Sequence, residues 1–386
     1  MIKREVFEIL CQISKGYPVV AITGPRQSGK TTLARLAFPE REYVSLETPS
    51  TLDFALNDPK GFLEQYKEGA IFDEAQNAPL LFSYLQEIVD TNKVMGQFIL
   101  TGSQQFGLLS GITQSLAGRV GLVELMPLSI NELEINGGKY LEQIIKGFYP
   151  SIYDRDLDPR LWYEDYIKTY VERDVRKLIN IKDLKTFRNF IRLCAARNAQ
   201  LLNISELCEA ADINRKTAES WLSILEASYI IYFLQPHFKN FSKRVVKSAK
   251  LYFYDTGLAA FLLGLRREEE LYLSSFKGAL FESLIVTEIK KWNMNHRKGN
   301  EFYFWRDNKG IEVDLLYEVG DKINAIEIKS GETIHTSSFK SLKAYEKYAG
   351  SLLNKKFIIY GGANFEKRTD MAIFPWYRAS EILNDL

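Results

Sequence analysis

The chain has 386 residues, 46% hydrophobic and 26% charged, with 24 glycines and 11 prolines. That length allows two or three domains and excludes an isolated zinc finger or a disulfide knot, and the composition excludes collagen-like repetition and extended disorder. Fifty basic residues against 49 acidic ones leave a formal charge of +1, so any contact with nucleic acid must come from a local patch rather than a whole-molecule field.

Three cysteines (Cys11, Cys194, Cys208) and three histidines (His237, His296, His335) show neither a disulfide framework nor metal-ligand spacing. A reduced, cytoplasmic setting is expected. The charged start Met1-Ile-Lys-Arg-Glu lacks the apolar core of a secretory signal. The longest uncharged stretch, Val94 to Gly118, is rich in Gln, Ser, Thr and Gly, so no membrane partner is expected.

Residues 1 to about 126 alternate short β-branched or aromatic runs with helical stretches. The runs are Pro18–Thr23, Glu42–Leu46, Gly69–Asp73, Gln97–Thr101 and Val120–Leu125, the rhythm of a parallel sheet with crossover helices. Directly after the first run comes Gly24-Pro25-Arg26-Gln27-Ser28-Gly29-Lys30-Thr31, which satisfies G-x-x-x-x-G-K-S/T, and a helical stretch begins at Thr32. A glycine-rich turn between strand and helix lets backbone N–H groups approach phosphate oxygens, and the helix N-terminus adds favourable partial charge. Residues 24–32 are therefore expected to bind ATP, with Lys30 reaching the β and γ phosphates and Thr31 ligating Mg²⁺.

Gly69-Ala-Ile-Phe-Asp73-Glu74 is a strand ending in two acids. Asp73 would complete the Mg²⁺ shell, and Glu74 would orient or deprotonate the attacking water. Gln97-Phe-Ile-Leu-Thr101-Gly-Ser103 ends a further strand in small polar residues. Thr101 or Ser103 would bond the γ-phosphate or the lytic water, or else simply cap a strand-end turn. No Asn-Lys-x-Asp tetrapeptide occurs, which favours adenine over guanine.

These motifs, with Ser115-Leu-Ala-Gly-Arg119, Glu124-Leu-Met-Pro-Leu-Ser129 and Tyr170-Val-Glu-Arg-Asp174, resemble a prokaryotic family of AAA+-like P-loop ATPases. Members carry an uncharacterised C-terminal domain related to PD-(D/E)XK nucleases. The resemblance implies that Arg119 contacts phosphate in the transition state, against the alternative of a salt bridge to a local acid. Arg173 and Arg176 are rivals for the same duty, and the sequence does not rank them.

Between 127 and 267 the chain reads as a helical lid and winged-helix region. Ile204–Ala211, a three-residue turn and Arg215–Leu225 have helix-turn-helix spacing, with Ser205 and Asn214 in cap positions. Residues 228–234 and 251–254 would form the wing. Lys239 to Lys250 holds five basic residues and no acid, so Lys243, Arg244 and Lys247, with Arg215 and Lys216, are expected to contact DNA phosphates. The alternative is a solvated loop on a protein-interaction module.

The last zone, 268–386, reads α-β-β-β-α-β. Glu327 and Lys329 share a strand face because they lie two residues apart, and Asp314 on the preceding strand can oppose them. Two carboxylates and a lysine at one point form a hard-oxygen Mg²⁺ site, which Glu282 would join from the first helix. The set Asp314, Glu327-x-Lys329 and Glu282 resembles the PD-(D/E)XK motif, with Val313 in place of its proline. The alternative is a salt-bridged strand pair. The expected protein is thus a multidomain α/β ATPase, with ATP and Mg²⁺ as cofactors. Its partners are DNA and a protein or a second copy of the chain, and the C-terminal domain either acts on nucleic acid or serves regulation alone.

Overall fold

The computed structural model describes residues 2–103, 112, 115–171, 184–237 and 247–383. They divide into two compact units, one of residues 1–128 with 227–229 and 295–297, the other containing the rest.

The first unit contains α1 (Phe7–Ser14), β1 (Val19–Thr23), α2 (Lys30–Ala37), β2 (Glu42–Ser45), α3 (Pro49–Asn57) and α4 (Pro59–Glu64). After them come β3 (Ala70–Asp73), α5 (Leu81–Asn92), β4 (Phe98–Thr101) and β5 (Val120–Glu124). The five strands form one parallel sheet in the order β2-β3-β4-β1-β5. All five residues of β1 are buried, as a central parallel strand covered on both faces requires. Alternation sends Val19 and Ala21 into a core with Phe72, Phe98 and Leu100, and Val20 and Ile22 into a second core with Leu10, Leu33 and Ile99. Thr23, Asp73 and Thr101 consequently end neighbouring strands on one edge, where ligands of open parallel sheets are held.

The second unit contains α6 (Tyr140–Lys146), α7 (Leu184–Ala196), β6 (Gln200–Leu201), α8 (Ile204–Ala211), α9 (Arg215–Ala227), β7 (Ile231–Pro236), β8 (Lys250–Phe253) and α10 (Thr256–Leu262). It continues with α11 (Lys277–Asn295), β9 (Phe302–Arg306), β10 (Glu312–Val319), β11 (Lys322–Lys329), α12 (Lys340–Ala349), β12 (Leu353–Tyr360), β13 (Glu366–Lys367) and β14 (Ala372–Pro375). Its mixed sheet runs β13-β14-β12-β11-β10-β9-β7-β8-β6. Strands from the middle and last thirds of the chain thus share one sheet, joined where Gln235 and Pro236 pair in parallel with Tyr303 and Phe304. The hairpin between β9 and β10 turns on Asp307, whose carboxylate accepts from the Lys309 and Ile311 amides at 2.9 and 2.8 Å. Among the described residues no helix is long and apolar enough to cross a membrane.

Candidate functional site

The loop after β1 has the conformation that its glycines predict. Gly24 has φ +139, and a Cβ on it would lie 2.1 Å from the Leu125 carbonyl oxygen, so backbone packs where a side chain would stand. Gly29 has φ +92 and forms the N-cap of α2. Lys30, 6% exposed, folds back over the loop and donates to the Gly24 and Pro25 carbonyls at 3.1 and 2.7 Å. The Ser28 hydroxyl is buried with no hydrogen-bond partner among the described residues. Arg4, which sequence reasoning passed over, braces the loop from behind, donating to the Ser28 and Met126 carbonyls at 2.7 Å each. Its only sequence signal is a charged residue before an apolar helix.

Asp73 gathers the strand ends. Its carboxylate accepts from Thr31 Oγ1 at 3.0 and 3.2 Å, from Tyr43 at 2.8 Å and from Thr101 Oγ1. Burial, and then Asp73 itself, pushes the Tyr43 phenol up to about 12. Glu74 takes a left-handed backbone, φ +53, which is costly for a non-glycine residue and concentrates at functional positions. Its Oε2 accepts from Ser103 Oγ at 2.9 Å and from the Gln76 amide. Burial alone would raise this carboxyl, but Lys30, Gln76, Arg26 and Ser103 outweigh it and hold it below the usual range. Thr101 and Ser103 therefore bond the two acids directly.

Arg119 rests on a local acid in this structure. It pairs with Asp90 through Nε at 2.5 Å and Nη2 at 2.8 Å, the local salt bridge that was the alternative. Its carbonyl accepts from the Val19 amide at the start of β1. In a parallel sheet that is the edge opposite the loop after Thr23. The rivals Arg173 and Arg176 lie outside the described residues, as do Lys243 and Arg244.

In the second unit Leu207 and Ala211 of α8 and Ala218, Leu222 and Leu225 of α9 are all buried. Asn214 accepts from the Thr217 amide at 2.9 Å. The cap of α8 is Asn203 rather than Ser205: the Asn203 amide oxygen accepts from the Ser205 and Glu206 amides at 3.1 and 3.4 Å. Arg215 is exposed and paired with Glu219 at 2.7 Å, while Lys216 and Lys247 are exposed. Lys250, read as the end of the basic run, is instead buried.

Glu282, Asp314, Glu327 and Lys329 do converge. The pairing of Leu315 with Ile326 brings Asp314 abreast of Glu327, and Asp314 Oδ2 accepts from the Ile328 amide at 2.7 Å. Between Val313 and Leu316 the β9 register slips by one residue, a bulge of the kind that re-aims side chains beside sites. Glu327 accepts from Lys329 and from Ser341 Oγ at 3.0 Å. Burial, then the Glu327 and Glu282 charges, pushes the Asp314 carboxyl well above the carboxylate range, and burial raises Glu327 against the pull of Lys329. Two members were missed. Glu312 shares the face of Asp314 by the same two-residue step that identified Glu327 and Lys329. Lys250 enters from β8 and bonds Glu282 at 2.8 Å and Glu312.

A family model described as an AAA domain matches residues 16–134. Two domains of unknown function, DUF8612 and DUF4143, match residues 137–269 and 277–378. Uncharacterized proteins of Mycobacterium tuberculosis and Mycobacterium bovis are each 32% identical over 318 residues, spanning 82% of this chain and 71% of theirs. Among solved structures, the Walker-type ATPase of Pyrococcus abyssi is 15% identical at a TM-score of 0.45, covering 67% of this chain and 94% of that one. AMPPCP-bound DnaA from Aquifex aeolicus is 16% identical at 0.29, covering 57% and 86%.

Proposed function

The chain belongs to one family with the two mycobacterial proteins, and from the AAA domain matched over residues 16–134 we propose that it is an ATP-binding, Mg²⁺-dependent ATPase working as a switch. The observation that carries the reading is Thr31 Oγ1 on the Asp73 carboxylate at 3.0 and 3.2 Å, with the strained, hydrogen-bonded Glu74 one residue further on. A hydroxyl and a carboxylate brought together from loop and strand end are a hard-oxygen donor pair suited to Mg²⁺. Bound there, the ion would neutralise charge on the β and γ phosphates. Residues 24–32 wrap the phosphates. The Lys30 ammonium turns from the Gly24 and Pro25 carbonyls to phosphate oxygen. Glu74, positioned by Ser103, orients the attacking water.

We further propose three functional parts: an ATPase domain at 1–126, a helical lid and winged-helix region at 127–267, and a PD-(D/E)XK-like domain at 268–386. The run α7-β6-α8-α9-β7-β8, with both hairpin partners antiparallel, supports the winged helix, and exposed Arg215, Lys216 and Lys247 would serve DNA phosphates. The convergence of Asp314, Glu327, Lys329 and Glu282 supports a nuclease-like domain that the nucleotide state gates. One observation favours a second reading, a regulatory switch whose nuclease-like domain does not cut: the Lys250 ammonium on Glu282 and Glu312.

The test is ATP turnover and nucleic-acid cleavage by the wild type, Lys30→Ala and Asp314→Ala proteins. Mg²⁺-dependent turnover lost in Lys30→Ala supports the ATPase. Failure of the wild type to bind or hydrolyse ATP refutes it. Cleavage lost in Asp314→Ala separates the gated nuclease from the switch.

A further inference from the structure

A side-chain cation stands where the carboxylates of the second unit would hold a metal ion. Lys250 opens β8 and is only 2% exposed. Its Nζ lies 2.8 Å from Glu282 Oε1, contacts Glu312 Oε1, and sits 5.5 Å from the centroid of the Phe304 ring. Tyr252, two residues along and on the same strand face, donates to the same Glu282 oxygen at 2.5 Å. Lysine and tyrosine therefore hold this carboxylate together. Glu282, Glu312 and Asp314 each present an oxygen within 4.8 Å of the others, a spacing that one divalent ion could span. Beside them, Glu327 Oε2 is buried with no hydrogen-bond partner among the described residues.

An ammonium and a divalent ion would compete for the Glu282 and Glu312 carboxylates and repel each other, so only one of them fits. We propose that Lys250 is the resident cation of this cluster and closes a latent divalent-cation site formed by Glu282, Glu312 and Asp314. The inference goes beyond the ATPase reading and stands independently of it, because it concerns metal binding rather than turnover. Of the two readings of this domain it sides with the regulatory switch over the gated nuclease, since Glu327 and Lys329 then form a neighbouring ion pair rather than the working half of a metal site.

The experiment uses nucleotide-free, full-length protein in an Asp73→Asn background, so that Asp73 adds nothing to the metal count. Free Mn²⁺ is read by electron paramagnetic resonance during titration of the Lys250 protein and of its Lys250→Met variant. The variant is expected to bind one ion per chain about tenfold or more tightly than its parent. Equal binding by both proteins, or binding by neither, overturns the proposal. A second measurement needs no substitution at 250: native-state acetylation of Lys250, followed by mass spectrometry with and without Mn²⁺. Lys250 is expected to stay unreactive in both conditions. A rise in its acetylation on adding Mn²⁺ overturns the proposal, since the ion would then have displaced the lysine.

Discussion

Replacing Glu74 with glutamine keeps the shape of the side chain and removes its charge. The glutamine carbonyl can still accept from Ser103 and Gln76, so the ground-state loss is two charge-assisted hydrogen bonds weakened to neutral ones, about 1–2 kcal/mol. The loss in turnover is far larger if Glu74 handles the attacking water, roughly 10²- to 10⁴-fold, or about 3–5 kcal/mol of barrier. ATP affinity should stay near the wild-type value, because the phosphates are bound by residues 24–32. Single-turnover hydrolysis and equilibrium nucleotide binding on the same preparation separate the two. Stability supplies an independent check. A carboxyl held below its unfolded value stabilises the fold fully above that value and loses the contribution as pH falls through the folded one. The stability gap between wild type and Glu74→Gln should therefore shrink on acidification below the ordinary glutamate range. Turnover within threefold of wild type, or an affinity loss matching the turnover loss, would refute the role given to Glu74.

Asp73→Asn removes the charge beside Tyr43, so the phenol, now pushed up to about 12, should titrate part of the way back towards its ordinary value while burial holds the remainder. Tyrosinate absorbance of the variant, with Tyr43→Phe as the blank, reads this directly, and an unmoved titration would contradict the contact. Asp255 caps α10 through the Leu258 amide at 2.8 Å and also accepts from the Phe148 amide at 2.7 Å and the Tyr163 hydroxyl at 2.6 Å, all buried. Asp255→Ala strands the two amides and leaves the Tyr163 hydroxyl only the Lys146 carbonyl at 3.2 Å, and should cost about 3 kcal/mol or more in urea unfolding; a cost below about 1 kcal/mol would mean that water replaces the carboxylate.

The nucleotide loop and the five strands around it were legible because their signals are local. Each strand of the first unit is a short apolar run, and the loop needs its glycines in sequence. Tyr43 was not legible as a partner of Asp73, since that contact depends on β2 pairing with β3 across 30 residues of chain. The position of Arg119 could have been read from topology: in an all-parallel sheet, a residue just before a strand stands at the edge away from the phosphate loop. Ser205 lost the cap of α8 to Asn203 because the helix already begins at Ile204, so that the Ser205 amide is itself one of the two that Asn203 accepts from. Lys250 read as the last member of a basic run, and only the sheet that carries β8 towards α11 brings it to Glu282. Glu312 could have been found by counting back two residues from Asp314.

The parallel junction of β7 with β9 has a bearing on how such a chain can be assembled from parts. The two stretches of unknown function meet in sequence near residue 270, which looks like a natural place to cut or recombine. A fragment ending there would leave β7 with an open edge beside the apolar Ile231 and Phe233, and the complementary fragment would leave β9 open in the same way. Unpaired edges of that kind invite aggregation. The two stretches therefore share one sheet, and a fragment meant to fold should keep both.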